Sequence, residues 1–162
     1  MKIAITDANI FIDLIYVRLH DKLFALDLEI HTTNEVFDEL NEKQKGVLEK
    51  FVKNNKLALH PGSELTKIES IQSRKGLSES DKSVLHLAIH LQAFILTGDG
   101  LVRKVSGIQK IEVHGTFWLF DNFVSNKLIS KKLACKHLED LMEYNKRLPS
   151  DECEKRLEQW KK

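Results

Sequence analysis

The sequence predicts an α/β fold: a three-layer α/β/α sandwich with a central, mainly parallel sheet of about five strands. Short apolar, β-branched segments alternate along the chain with amphipathic helical segments, which is typical of such a sheet. One segment, "AFILTG", is apolar without alternation, as expected of a strand buried on both faces. The 162 residues, 42% of them hydrophobic, suffice for one packed core, so we predict a single domain over residues 1–162.

The first half of the chain predicts three strands, each followed by helical sequence. Lys2–Thr6 has the length and β-branched content of a strand. "KLALH" is typical of an edge strand, because Pro61 follows it directly. Apolar residues at helical spacing predict a further helix over 64–73. The predicted elements are the strand 2–6, a helix from 8 to about 16, a short helix at 21–26, the strand "LEIHTT", a helix from 34 to about 41, the helix "KGVLEKFVKNN", the strand "KLALH" and the helix 64–73.

The second half predicts two more strands and then only helices. "LSESDKSVLHLAIHLQ" is the most apolar helix and is expected to lie deep against the sheet. From about residue 116 onward the sequence predicts additional C-terminal helices, whose narrow apolar faces must pack on the same domain. The predicted elements are this apolar helix, the strand "AFILTG", the helix "DGLVRKVSG", the strand "KIEVHG" and the helices "FWLFDNFVSN", "ISKKLACKHLEDLMEYN" and "SDECEKRLEQW".

Charge and composition restrict the classes of function. The formal net charge is +1, so no global charge favours nucleic acid or membranes, and any charged site must be local. Cys135 and Cys153 lack the spacing of a zinc or redox site and are expected to be reduced thiols. Neither a signal-peptide layout nor a run of about 18 uncharged apolar residues is present. We therefore expect a cytoplasmic protein that makes no membrane contact.

Acidic residues stand where predicted strands end. Asp7 follows the first strand and Asp99 follows "AFILTG". In a parallel sheet the carboxyl ends of all strands lie at one edge, where ligands bind. Asp81 begins the helix before that later strand, and Glu39 follows the second strand, with Glu35 one turn earlier. The sequence therefore predicts that acids from four separate segments meet in one pocket.

Each acid also has a purely structural interpretation. Asp7 could be the N-cap of the first helix, and Asp99 could be a cap or turn residue between two glycines. Asp81 would be favourable in the first turn of a helix capped by Ser78. Glu39 could form an exposed ion pair with Lys43, four residues later. The conjunction of four acids in an order that converges on one sheet edge favours a shared site.

A cluster of carboxylates predicts a bound cation. Like charges a few ångströms apart raise one another's pKa and destabilise the fold unless a positive charge lies among them. Oxygen ligands suit Mg²⁺ or Mn²⁺, and the absence of a cysteine and histidine pattern argues against zinc. One or two such ions could activate water and stabilise the leaving oxygen of a phosphodiester. This chemistry indicates hydrolysis of nucleic acid.

Four motifs in order resemble those of the PIN-domain nucleases. "ITDANIFIDL" resembles the opening motif of that family, and "TTNEVFDEL" is similar to the second. "LSESDKSVLHLA" and "ILTGDGLVRKV" resemble the third and fourth. The segments "VHGTFWLF" and "LISKKLACKHLEDL" are similar to the tail of a stand-alone bacterial, VapC-like toxin subgroup, so the resemblance spans nearly the whole chain.

The resemblance implies an Mg²⁺- or Mn²⁺-dependent ribonuclease, often the toxin of a toxin–antitoxin pair. It implies an RNA substrate, a cognate antitoxin protein as partner and a homodimer. It also assigns metal binding and catalysis to Asp7, Glu39, Asp81 and Asp99. Asn9 and Thr97 would support this set. Two alternatives stay open, because Glu35 competes with Glu39, and Glu79 with Asp81.

Residues outside the acidic set give weaker indications. Arg103 and Lys104 follow Asp99 closely and could contact a substrate phosphate. The aromatic residues around Phe120 are expected in the core or a dimer surface, because base-stacking sites need exposed rings among basic residues. His86 and His90 lie four apart without a third ligand and are expected to be ordinary helix residues.

Two other classes of function compete with the nuclease. A phosphoacceptor receiver domain also gathers acids at strand ends, but it requires a lysine after a late strand, and Lys110 precedes the last predicted strand. The other alternative is a catalytically idle module of the same fold that binds RNA or protein. RNA cleavage with Mn²⁺ separates the nuclease from both alternatives.

Overall fold

A computed structural model describes all 162 residues and contains one parallel, five-stranded sheet. The strand order is β3-β2-β1-β4-β5, and every neighbouring pair is parallel. The sheet confirms the predicted parallel topology and the three-layer α/β/α class. The strands are β1 (Lys2–Thr6), β2 (Leu28–Thr33), β3 (Leu57–His60), β4 (Phe94–Leu96) and β5 (Val113–His114).

Ten α-helices connect and cover these strands. The longest has 14 residues, and none has both the length and the hydropathy needed to cross a membrane. In chain order they are α1 (Ala8–Tyr16), α2 (His20–Leu23), α3 (Asn34–Asp38), α4 (Glu42–Lys53), α5 (Glu69–Gln72), α6 (Glu79–Leu91), α7 (Gly100–Ile108), α8 (Thr116–Ser125), α9 (Lys131–Tyr144) and α10 (Ser150–Trp160).

The helices form two groups, one on each face of the sheet. Contacts join α1 to α2 and α4, and α2 to α8, whereas α6 contacts α3, α5 and α7. Right-handed crossovers place α1 and α4 on one face and α6 and α7 on the other, because the chain moves outward from β1 to β3 and then returns to the other side of β1. The short helix α3 is the exception, since it follows β2 directly and packs on α6. The apolar helix α6 packs on β1, β2 and β4, as its sequence predicts.

The C-terminal helices share the hydrophobic core with the sheet. Phe120 and Phe123 of α8 and Leu138 of α9 are fully buried in the same apolar cluster as the strands. Both cysteines are free and buried, in α9 and α10. The aromatic residues of α8 therefore act mainly in packing.

The site lies at the carboxyl ends of the adjacent strands β1 and β4. Thr6 lies opposite Leu96 in the register, and the Asp7 N–H donates to the Leu96 carbonyl at 3.0 Å. Strand order reverses here, because β2 and β3 lie on one side of β1 while β4 and β5 lie on the other. Such a reversal opens a crevice at the carboxyl ends of the strands. This order also differs from the 2-1-3-4-5 order of receiver-type sheets, so the receiver alternative is wrong.

The predicted helix over 64–73 is wrong. The chain forms a 3₁₀ turn at Gly62–Glu64 and only one short helix, α5. Between them Leu65 and Ile68 are extended, and the Ile68 N–H donates to Nε2 of His86 at 3.0 Å. This bond to α6 replaces a helical hydrogen bond, which explains why helical spacing was misleading here.

Candidate active site

Asp7 lies at the end of β1 in the crevice between β1 and β4. Its side chain is only 4% exposed. One carboxylate oxygen accepts the Ala8 N–H at 2.8 Å, and the other accepts the hydroxyl of Thr97 at 2.7 Å. The first bond makes Asp7 the N-cap of α1, which confirms the capping interpretation but accounts for only one of its two oxygens.

Burial raises the pKa of Asp7 from 3.8 to about 6. Desolvation is the largest cause, and the bonds from Thr97 and Ala8 oppose it. The charges of Asp81 and Asp99 raise the pKa further. Asp7 is therefore close enough to two other acids for their charges to act on it, which a lone capping residue would not be.

Asp81 and Asp99 also cap helices, each with one carboxylate oxygen. Oδ2 of Asp81 accepts the Ser78 N–H at 3.0 Å in the capping box of α6. Oδ1 of Asp99 accepts the Val102 N–H at 2.9 Å at the start of α7. The second oxygen of each carboxylate makes no hydrogen bond within the protein. Capping therefore fixes the two side chains and leaves one oxygen of each available to a ligand.

The structure separates the roles of Glu39 and Glu35. The hydroxyl of Ser80 donates to Oε1 of Glu39, so Glu39 lies against the start of α6, beside Asp81. Glu35 instead accepts the Gly62 N–H at 3.0 Å and fills the space where a Cβ of residue 62 would lie. Glu35 thus joins α3 to the turn after β3, and Glu39 is the acid that contacts the Asp81 segment.

The surface-pair interpretation of Glu39 is wrong. Helix α3 ends at Asp38 and α4 begins at Glu42, so Glu39 and Lys43 do not share a helix. They form no ion pair. The residue that holds Glu39 is Ser80, which is absent from the residues predicted from the sequence motifs. Its position one residue before Asp81, on the buried face of α6, is the signal that could have identified it.

The acids have no cationic partner in the protein. None of the eight ion pairs includes Asp7, Glu39, Asp81 or Asp99. Nor do three acidic, histidine or cysteine side chains lie close enough together to form a preformed metal cluster. Asp7, Asp81 and Asp99 are close enough for their charges to interact, but they have no ion-pair partner and lie farther apart than the ligands of a formed metal site.

Asn9 and Thr97 support the loop that carries Asp99. Thr97 is fully buried, donates its hydroxyl hydrogen to Asp7 and accepts the Asp99 N–H at 3.1 Å. Oδ1 of Asn9 accepts the Gly98 N–H at 3.3 Å. Thr97 thus links the orientation of Asp7 to that of Asp99.

Arg103 and Lys104 are both exposed on α7, but only Arg103 lies beside this loop. The guanidinium of Arg103 donates to the Thr97 carbonyl at 3.3 Å. It passes over Gly115, where an added Cβ would collide with Nη2. Together with Asn9 and Asp99, Arg103 lines a cleft that extends away from the acids. The structure therefore places Arg103, and not Lys104, in the cleft next to Asp99.

A family comparison agrees with this arrangement. The family model described as a PIN domain matches residues 3–162. The chain belongs to the PIN-domain family. PIN domains are generally nucleases and usually use divalent metal ions, so a nuclease-type function follows from the membership. A search of curated proteins found no match to this PIN domain.

The donor set of this PIN domain suits a hard divalent cation. All four candidate ligands offer carboxylate oxygens, which Mg²⁺ and Mn²⁺ prefer. Asp81 and Asp99 each have an oxygen without a protein partner, and no lysine or arginine neutralises the group. The residues therefore fit the ions that the family uses.

Proposed function

We propose that this PIN domain is an endoribonuclease that hydrolyses RNA phosphodiester bonds with Mg²⁺ or Mn²⁺. The supporting observation is the set of uncompensated carboxylates at the point where strand order reverses. Burial raises the pKa of Asp7, and the charges of Asp81 and Asp99 raise it further, so a divalent cation among these three acids would offset both the desolvation and the repulsion. The family supports nuclease chemistry.

Asp7, Asp81 and Asp99 would hold the ion, with Glu39 completing the set. When bound, Mg²⁺ or Mn²⁺ lowers the pKa of water and stabilises charge on the leaving oxygen. The helix caps orient Asp7, Asp81 and Asp99, because one oxygen of each carboxylate accepts a backbone N–H. Thr97 holds Asp7 through its hydroxyl, and Ser80 holds Glu39. We assign Ser80, Thr97 and Asn9 as positioning residues.

The finer parts of the proposal come from the sequence resemblance. They are the choice of RNA over DNA, the toxin role, a cognate antitoxin and a homodimer. A basic side chain of an antitoxin would complement the uncompensated acids. Growth arrest on expression of the wild type, but not of Asp99→Asn, would support the toxin role.

Cleavage of RNA tests the proposal directly. Purified wild type, Asp7→Asn, Asp99→Asn and Asp27→Asn are incubated with RNA and Mn²⁺. Asparagine is as good an N-cap as aspartate, so these changes preserve the helices while removing charge. Asp27 is an exposed acid just before β2, at the opposite edge of the sheet, and is the matched control.

We expect cleavage by the wild type and by Asp27→Asn. EDTA, Asp7→Asn and Asp99→Asn should abolish it. Equal cleavage by all variants would mean that these acids are not catalytic. A wild type that binds RNA but never cleaves it, with either ion, would favour the idle binding module of the same fold.

A further inference from the structure

A cleft of about 950 Å³ runs from Asp99 to the C-terminal helices. At one end Asn9, Asp99 and Arg103 line it. At the other end the wall is the turn between α9 and α10, residues 145–149, together with Tyr144. This volume greatly exceeds what a metal ion and its ligands occupy. The acidic site therefore opens into a space large enough for part of a polymer.

The far end of the cleft carries two exposed cations, of which Arg147 lies close enough to buried Asp13 for its charge to oppose the rise in the pKa of that carboxyl. Lys146 and Arg147 are exposed, and neither forms an ion pair. Arg103, near the acids, is also without an ion-pair partner. Arg156, by contrast, pairs with Asp121 and Glu152 and so is neutralised. Three cations along one cleft suit the repeated phosphates of a nucleic-acid strand.

The turn at residues 145–149 is anchored to α1. Nδ2 of Asn145 donates to Oδ2 of Asp13 at 2.9 Å. Oδ1 of the same side chain accepts the Arg147 N–H at 3.0 Å. Asp13 is nearly fully buried on α1, the helix that Asp7 caps. Asn145 therefore fixes the backbone of Arg147 relative to the acidic site.

Two exposed tyrosines lie where the cleft ends. Tyr144 and Tyr16 stack with their ring centroids 3.9 Å apart and their planes 13° apart. They are 46% and 49% exposed. Because the basic turn is adjacent, they are exposed rings among basic residues, as a base-stacking site requires.

A second groove continues the path beyond the tyrosines. It has a volume of about 470 Å³, and Tyr144 and Ile12 line both it and the first cleft. Arg18 and Lys43, again without ion-pair partners, line its far side. The positive charge thus continues past the stacked pair, as the backbone of a strand longer than one nucleotide requires.

We infer that the Tyr144–Tyr16 pair and the 145–149 turn form a subsite that binds an unpaired polynucleotide strand beside the acids. A base stacks on the tyrosine pair, while Arg103, Lys146 and Arg147 contact phosphates between it and Asp99. The inference rests on the proposed function, because the acidic site would act on the strand that this subsite holds. Bases within a duplex have no free face, so the subsite selects unpaired segments.

Binding of labelled oligonucleotides in EDTA tests the subsite without cleavage. Fluorescence anisotropy compares single-stranded RNA, single-stranded DNA and blunt duplex RNA. Tyr144→Ala should weaken single-strand binding about 10-fold, while Tyr144→Phe keeps the ring and stays within about 2-fold of wild type. Arg147→Ala should weaken binding and lower the slope of log K against log salt by about 0.7. Lys56→Ala, an exposed cation just before β3, should change neither.

Weaker binding of either single-stranded RNA or single-stranded DNA by Tyr144→Ala supports the subsite. The strand that the wild type binds more tightly shows whether the subsite prefers ribose or deoxyribose. Unchanged binding by Tyr144→Ala, or duplex binding as tight as that of a single strand, would overturn it. Failure of the two proposals is distinguishable. Cleavage by wild type without any Tyr144 or Arg147 effect refutes the subsite alone. Binding that depends on Tyr144, without cleavage under any metal condition, refutes the nuclease and leaves the subsite.

Discussion

The two ends of the cleft are built in different ways. The acidic end is assembled by sheet topology, because β1 and β4 are adjacent and deliver Asp7 and Asp99 to the same edge. The basic end depends on a tertiary contact, since Asn145 ties the last inter-helix turn to Asp13 on α1. The first arrangement is inseparable from the fold, whereas the second can be removed without disturbing the sheet. Chemistry and substrate binding should therefore respond to different substitutions.

The largest expected effect is on kcat, and it distinguishes the acidic end of the cleft from the basic end. Asp99→Asn should lower kcat for RNA cleavage by at least about 100-fold, because it removes a group that acts on the reacting centre. Arg147→Ala should mainly raise KM, by roughly 5-fold, and leave kcat within about 2-fold. Steady-state cleavage of one single-stranded RNA by both variants measures this. A fall in kcat without a rise in KM for Arg147→Ala would contradict the assignment of the basic end to substrate binding.

Asp7→Asn should stabilise the metal-free protein at neutral pH. Because the pKa of Asp7 is about 6 in the folded protein against 3.8 ordinarily, the folded state binds the proton more tightly. Stability therefore falls as pH rises between about 4 and 6 and stays reduced above that range. Asparagine has no such penalty, so the free energy of unfolding should rise on the order of 3 kcal/mol at neutral pH.

Thermal unfolding in EDTA checks this sign. The Tm of Asp7→Asn should exceed that of wild type by several degrees at neutral pH, and the difference should vanish below about pH 4. Asp27→Asn should match wild type throughout. A lower Tm for Asp7→Asn at neutral pH would show that burial and the neighbouring acids do not destabilise the ionised Asp7 side chain.

Topology explains how much of the site could be predicted from sequence. Asp7 and Asp99 follow strongly apolar segments, so their positions at strand ends could be inferred without coordinates. The choice between Glu35 and Glu39 could not, because it depends on Gly62, which approaches Glu35 from another part of the chain. Strand and helix types were similarly predictable over most of the chain, since periodicity is a local property.

Contacts between distant segments account for the parts that sequence did not reveal. The helix expected over 64–73 is interrupted because Ile68 bonds to His86, eighteen residues later. Asn145 and Asp13 are 132 residues apart, and no local pattern links them. The stacking of Tyr16 on Tyr144 likewise requires α1 and the end of α9 to meet.

Asn145→Ala should show that the basic end depends on its anchor. Burial raises the pKa of Asp13, and the bond from Asn145 opposes that rise. Its loss leaves a buried carboxylate without a donor and should lower stability by about 1–3 kcal/mol. KM should rise as it does in Arg147→Ala. Asn126→Ala, at the C-terminal end of α8, is the matched control and should leave KM unchanged. Equal KM values in both variants would count against the anchor.

Gly115→Ala should have the smallest effect on stability and KM, and it tests whether Arg103 contributes to substrate binding. The new Cβ would collide with the flexible end of Arg103 and move it away from the Thr97 carbonyl. It would also lie 3.3 Å from that backbone oxygen, a contact that a shift of a few tenths of an ångström relieves. Stability should change by less than about 1 kcal/mol, because the side chain can move. KM should rise roughly 2- to 5-fold, the worth of one exposed charge contact. Gly107→Ala on α7 meets no atom within 4 Å and should leave KM as in wild type. An unchanged KM in Gly115→Ala would remove Arg103 from substrate binding.

Titration of the metal-free protein with Mn²⁺ in a calorimeter tests the central claim most directly. The claim is that acids from β1, α6 and α7 share one anionic site for a divalent cation. We predict saturable binding by wild type and by Asp27→Asn, weakened by about 10-fold or more in Asp81→Asn and in Asp99→Asn, because each removes a ligand charge. Mn²⁺ binding of equal strength in all four proteins would contradict the account.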